Sequence, residues 1–246
     1  MRALATIAVV AATAGFAFTA QAADQIGIAT SNPGGLYHST GSAIAKVANE
    51  NGLSVTIQPA TAPTQYLPVI ATGDIEMGLG NLQEVSEGLE GKAHFEGRPY
   101  DTIRAVAVMF PLKSGIWVRD SSGMTKVSDL KGKRVASGYT AQKTLVPVLE
   151  GTLAAGGLTM DDVEEVPVQS VFAGADAFSA GEIDSFLFAV GSGTSREADA
   201  AVGGLRALTS DDTPEHPSLP PTSTSARHAR THTPVQLTMH LQPKLY

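Results

Sequence analysis

Apolar runs of strand length alternate with stretches of helical periodicity from residue 25 to residue 189, the order expected of an α/β chain with mostly parallel strands. Residues 25–30 form the first such run. Leu53, Val55 and Ile57 alternate with polar neighbours as a half-covered strand requires, and residues 75–80, 104–110 and 115–119 supply further strands. Between the first two strands, Ile44, Val47 and Ala48 stand at i, i+3 and i+4, which predicts the apolar stripe of a helix lying on a sheet. The second half starts again with a strand over 133–137 and a helix over about 141–155. A strand near Val166, a helix over 171–179 and a strand over 183–189 follow.

The two halves resemble each other. In each, a strand runs into a loop of small polar residues that opens a helix, and later a Gly-acid-Ile step starts another strand: Gly73-Asp74-Ile75, then Gly181-Glu182-Ile183. The expected architecture is two βαβ lobes with a ligand cleft between them, at the carboxyl ends of the strands.

Composition narrows the partners. With 43% hydrophobic and 17% charged residues, 246 residues hold enough core for one large domain or two small ones. Seventeen Lys+Arg against 24 Asp+Glu give a net charge of -7, which presents no basic face and argues against nucleic acid. The absence of cysteine excludes disulfides, thiolate metal sites and cysteine nucleophiles. Met1 and Arg2 precede an uncharged apolar run over 3–20, and Ala20-Gln21-Ala22 has the small-x-small form of a cleavage site. Residues 1–22 are therefore expected to be an export signal, and the mature protein a soluble, periplasmic monomer beginning near Ala23. Losing Arg2 takes the formal net charge from -7 to -8. The expected division is a first lobe over 24–112 and a second over 113–209.

Four loops can carry ligand chemistry. Thr30-Ser31-Asn32-Pro33-Gly34-Gly35-Leu36-Tyr37 lies between a strand and a helix, where glycines admit a close ligand and free helix N–H groups favour an anion. It lacks the Gly-Lys-Ser/Thr ending of a P-loop and the G-x-G-x-x-G spacing of a dinucleotide site. The same loop also reads as a tight turn without a ligand. Its counterpart is Ser137-Gly138-Tyr139-Thr140-Ala141-Gln142, in which Thr140 either caps its own helix or offers its hydroxyl, and Gln142 can donate or accept. Asn81 and Gln83 follow the third strand, and Val190-Gly191-Ser192-Gly193 follows the last. Glu84 can meet an ammonium group, although a glutamate in the first turn of a helix also simply favours the helix dipole. Phe110, before Pro111, has a better claim to the cleft than Trp117.

Catalytic constellations are poor. His38 and His94 are the only histidines before residue 211, no serine sits in a G-x-S-x-G elbow, and Ser192 has no matched base. Asp161-Asp162 and Glu164-Glu165 read as a solvated connection rather than a metal site, and neither a metal nor a cofactor is expected.

Several motifs in order resemble the TAXI-type solute-binding proteins of TRAP transporters, over residues 25–208. They are Gly34-Gly35-Leu36-Tyr37; Ala71-Thr72-Gly73-Asp74-Ile75; Asp129-Leu130-Lys131-Gly132-Lys133-Arg134-Val135; Ala154-Ala155-Gly156-Gly157-Leu158-Thr159 with Asp161-Asp162-Val163; and residues 178–188 around Gly181-Glu182-Ile183-Asp184. The resemblance implies a periplasmic-binding-protein-like fold without catalysis, capturing a small organic anion (a glutamate-like amino acid, a 2-oxoacid or a dicarboxylate) for the TRAP membrane subunits. Carried over by position, it implies ligand contacts from Thr30, Gly34, Gly35 and Tyr37 in one lobe and from Gly138, Thr140 and Gln142 in the other. Asn81, Val190, Gly191 and Ser192 stand as strand-end residues facing them.

The last segment has a different character. All 25 glycines precede Asp211, whereas six of the 14 prolines and four of the six histidines fall in residues 211–246. This Pro/Ser/Thr/His-rich stretch over 210–246 departs from the resemblance and reads as an aberrant, disordered tail, the C-terminal part of the fold being missing. His228 and His232 stand at i, i+4 but lack a helical context in which to hold a metal.

Overall fold

The computed structural model describes residues 25–210. The export signal and nearly all of the tail read from the sequence lie outside the described residues.

Two sheets organise the chain. The first has three parallel strands in the order β2-β1-β3, built from β1 (Gln25–Thr30), β2 (Ser54–Pro59) and β3 (Met77–Gly78). Neighbouring residues of β1 point to opposite faces, so Ile28 and Ala29 serve two different cores. Ile28 joins Val55, Leu79 and Ala45 of α1 (Leu36–Glu50). Ala29 joins Tyr66, Leu67 and Ile70 of α2 (Pro63–Thr72) and Val85 of α3 (Leu82–Glu90). Coverage on both sides explains why β1 is nearly continuously apolar.

The second sheet has the order β6-β5-β7-β4-β8. Its strands are β4 (Ser114–Arg119), β5 (Arg134–Ser137), β6 (Glu164–Pro167), β7 (Ser185–Ala189) and β8 (Leu205–Ala207). β5 runs parallel to β6 and β7, while β4 is antiparallel to β7 and β8. With α4 (Val146–Ala154), α5 (Val171–Ala180) and α6 (Gly193–Val202), this sheet encloses a core of Ile116, Val118, Leu130, Leu149, Leu153, Phe178 and Phe186.

The Gly-acid-Ile steps have one structural cause. Gly73 and Gly181 end α2 and α5 in the left-handed region, at φ 83° and 82°. Asp74 N–H donates to the Val69 carbonyl at 3.1 Å, and Glu182 N–H to the Ala177 carbonyl at 2.9 Å. Both are the six-to-one closure of a Schellman motif, which needs an inexpensive positive φ at the glycine and then releases the chain toward a strand.

Several expectations need correction. Residues 104–110 pair with no strand among the described residues, and Val106 and Val108 are about half exposed, so the apolar run alone did not make a ladder. The strand expected over 75–80 contracts to Met77–Gly78. Val47 is 59% exposed, because it stands about 200° around α1 from buried Ala45. The helix expected from residue 141 begins at Val146, after a single 3-10 turn over Lys143–Leu145. Pro147, which lacks an N–H, fits only the first turn of α4.

Candidate functional site

Loops at the carboxyl ends of strands in both sheets meet along one junction. Among the described residues, three hydrogen bonds cross it. Gln142 Nε2 donates to the Thr61 carbonyl at 2.8 Å, Thr144 Oγ1 donates to Glu84 Oε1 at 2.8 Å, and Thr194 N–H donates to the Gly34 carbonyl at 3.2 Å.

The first lobe presents helix N-termini there. Gly35 precedes α1 and Ala62 precedes α2, so the positive end of each helix dipole lies at the cleft; Ser31 Oγ accepts the His38 N–H of α1 at 3.3 Å, and α2 opens with Pro63, which has no N–H. Gly34 has φ 86°, and a Cβ on it would collide with the Thr194 side chain; glycine is required both by the turn and by the close approach of α6. A Cβ on Gly35 would lie 3.2 Å from Phe172 Cζ in the first turn of α5.

Asn81 caps α3 by accepting from Glu84 N–H at 2.9 Å, and its amide also donates to the Glu84 carboxyl. Tyr37 brings its hydroxyl to the same Asn81, and burial followed by the nearby Glu84 pushes its ionisation well above the usual phenol range. Tyr66 donates to the Leu79 carbonyl beneath them. Glu84 is only 4% exposed. Burial raises its pKa to about 7 against the opposing pull of the Thr144 and Asn81 hydrogen bonds, with Glu87 adding a smaller upward push.

From the second lobe, Gln142 is the principal bridge. Besides reaching Thr61, its Oε1 accepts from Val171 N–H at the start of α5 at 2.8 Å. Gly138, at φ 75°, turns the chain after β5 so that Tyr139 enters the core.

The junction does not recruit every expected side chain. Thr30 is fully buried; its hydroxyl donates to the Ser31 carbonyl at 3.0 Å and lies 3.4 Å from His38 Nδ1. Thr140 is exposed and caps no helix; its N–H donates to the Val168 carbonyl at 3.3 Å. Ser192 is fully buried as the cap of α6, bonded to Ser195 N–H at 3.0 Å and to Ser195 Oγ at 2.9 Å. Gly191, at φ 79°, carries the chain from exposed Val190 into that cap.

Val190 lines a cavity of about 310 Å³ together with Leu36 and Thr40 of α1 and with Phe110, Pro111 and Lys113 of the crossover. Phe110 thus lines this cavity beside Val190. Thr61, Lys113, Thr144 and Thr194 are the additional residues that sequence reasoning did not single out. Glu84 does lie in the first turn of α3, where it favours the helix dipole, but its carboxyl also faces the opposite lobe.

The model of the NMT1-like family matches residues 28–206, from β1 into β8. The chain belongs to the NMT1-like family. Among solved structures, this NMT1-like chain is similar to the alkanesulfonate-binding protein SsuA from Xanthomonas axonopodis pv. citri bound to MOPS. The two are 21% identical with a TM-score of 0.52, over 76% of this chain and 61% of that one. The NMT1-like chain thus spans about three fifths of the length of that sulfonate-binding structure. It is also similar to the amino acid ABC transporter substrate-binding protein AbpA from Streptococcus pneumoniae bound to L-arginine, at 12% identity and a TM-score of 0.51, over 89% of this chain and 82% of that one. An ancestral arginine-binding protein bound to arginine matches at 12% identity and a TM-score of 0.51, over 89% and 85%. These likenesses establish the periplasmic-binding-protein-like fold of the NMT1-like chain: two α/β lobes facing each other across a cleft.

Proposed function

We propose that this protein is an extracytoplasmic solute receptor that captures a small organic anion between its lobes and delivers it to a membrane permease. The observation that carries this reading is the junction itself. The N-terminal ends of α1 and α2 and a set of neutral donors, Gln142, Thr144 and the Thr194 amide, converge there from opposite lobes. Each of the three bonds that close the cleft can be exchanged for a bond to a ligand, so a solute that satisfies both lobes shifts the population toward the closed form. Lys113 beside the cavity adds a formal cation for a carboxylate.

The ligand classes in this reading are glutamate-like amino acids, 2-oxoacids and dicarboxylates. The permease is of the TRAP type, in keeping with the ordered TAXI-like motifs. Binding is the function, with no chemical step and with export through the leader to the periplasm. Titration calorimetry with L-glutamate, 2-oxoglutarate, succinate and pyruvate tests the proposal. Saturable binding of at least one supports it. Silence from all four on a folded sample, or binding confined to L-arginine or an alkanesulfonate run alongside, overturns it.

A further inference from the structure

We infer that Glu84 selects, among small organic acids, those that also carry a protonated amine, so that the preferred solute is an amino-acid zwitterion. The inference rests on the receptor reading above and narrows it. Glu84 is 4% exposed, yet it is not shut inside one lobe: its Oε1 accepts from Thr144 of the opposite lobe at 2.8 Å. Its remaining hydrogen-bond donor is the Asn81 amide. Among the described residues no lysine, arginine or histidine forms an ion pair with it.

The titratable groups around it are Tyr37 from α1, Tyr66 from α2 and Glu87 from α3, none of which supplies a positive charge. A buried carboxylate held only by neutral donors is costly unless it is protonated or paired. An ammonium replacing Thr144 provides the pairing, while the ligand carboxylate takes the N-terminal ends of α1 and α2, where the positive ends of the helix dipoles face the junction. A keto or hydroxy acid of the same shape offers Glu84 no charge.

Pairing with an ammonium also forces Glu84 to give up its proton. With its pKa raised to about 7 by burial, roughly half a proton is released at pH 7 when an amine ligand binds.

The test compares L-glutamate with 2-oxoglutarate, which differ in the amine, on the full chain. Calorimetry at pH 7 in two buffers of different ionisation enthalpy reads both affinity and proton release. The expected result is at least tenfold tighter binding of L-glutamate with proton release, and neither feature for 2-oxoglutarate. Glu84→Gln is expected to erase the preference and the release together. The wild-type proton count stands by itself, so the inference is decided even where the variant fails to fold. Equal affinities without proton release overturn the inference and leave the receptor reading intact, whereas binding of neither compound by a folded sample overturns both.

Discussion

The side-chain amide of Gln142 holds both lobes at once: its nitrogen donates to the Thr61 carbonyl after β2, and its oxygen accepts the Val171 N–H that opens α5. Each bond is 2.8 Å long, and the side chain is largely buried. One residue thus sets the end of a second-lobe helix against a first-lobe loop. Gln142→Leu removes both bonds, each contributing about 0.5–1.5 kcal/mol. The expected outcome is a loss of ligand affinity of about tenfold or more, because the Thr61 bond joins the lobes, together with a modest fall in melting temperature from the lost Val171 bond, which lies within the second lobe. Calorimetry and a thermal melt on the same sample check it. A variant that melts far below the wild type would show that Gln142 serves folding rather than closure.

Glu84 makes stability fall with rising pH. Its folded pKa is about 7, whereas an unfolded glutamate titrates near 4.3, so the folded state holds the extra proton between these values. The contribution is complete below about pH 4.3 and is lost as pH rises through about 7, at a cost on the order of 2–4 kcal/mol. Glu84→Gln, a neutral isostere, is expected to match the wild type at pH 4 and to exceed it at pH 8. Thermal melts from pH 4 to 9 check the divergence, and parallel curves for the two proteins would contradict it.

Arg134 and Asp184 act in the opposite direction. Asp184 Oδ2 accepts from the Arg134 backbone N–H at 3.0 Å and from Nε at 3.2 Å, while Oδ1 accepts from Nη2 at 2.7 Å. Hydrogen bonds from Arg134 hold the Asp184 carboxyl below the usual range. Its contribution is therefore present above the unfolded pKa near 3.9 and is lost as pH falls through the lower folded value. Asp184→Asn is expected to lower stability by about 1–2 kcal/mol at pH 7, discounted for partial exposure, and to blunt the loss near pH 3. Melts at pH 3 and 7 decide it.

These two residues also show what the sequence discloses. Arg134 and Asp184 belong to separate motifs that the TAXI resemblance brings forward, and they prove to be partners that tie β5 to the residue entering β7. Local periodicity identifies β1, β5 and α5 because one covered sheet or one helix stripe determines each pattern. It misplaces Val47, where a single round of the helix decides exposure, and residues 104–110, where pairing depends on a neighbour. The site divides in the same way. Gly34, Gly35, Asn81 and Gln142 are legible from loop chemistry, whereas Thr61, Thr144 and Thr194 become visible only when the lobes face each other. Ser192 misleads because a cap and a ligand hydroxyl look identical in one dimension.

Gly34 offers the sharpest separation of closure from folding. Its φ of 86° places it where a side chain is strained, and the space a Cβ needs is already occupied by Thr194 from the other lobe. Strain at the turn acts in open and closed forms alike, at about 1 kcal/mol. The collision acts only when the lobes meet. Gly34→Ala is therefore expected to lower the melting temperature slightly and the ligand affinity much more, with the missing affinity appearing as a population of open molecules in small-angle scattering. Adding Thr194→Gly removes the obstructing side chain while keeping the backbone N–H that bonds Gly34, so the double variant is expected to recover most of the affinity but none of the turn strain. Failure of that rescue would place the whole effect of Gly34 in its own turn and remove it from the closing surface.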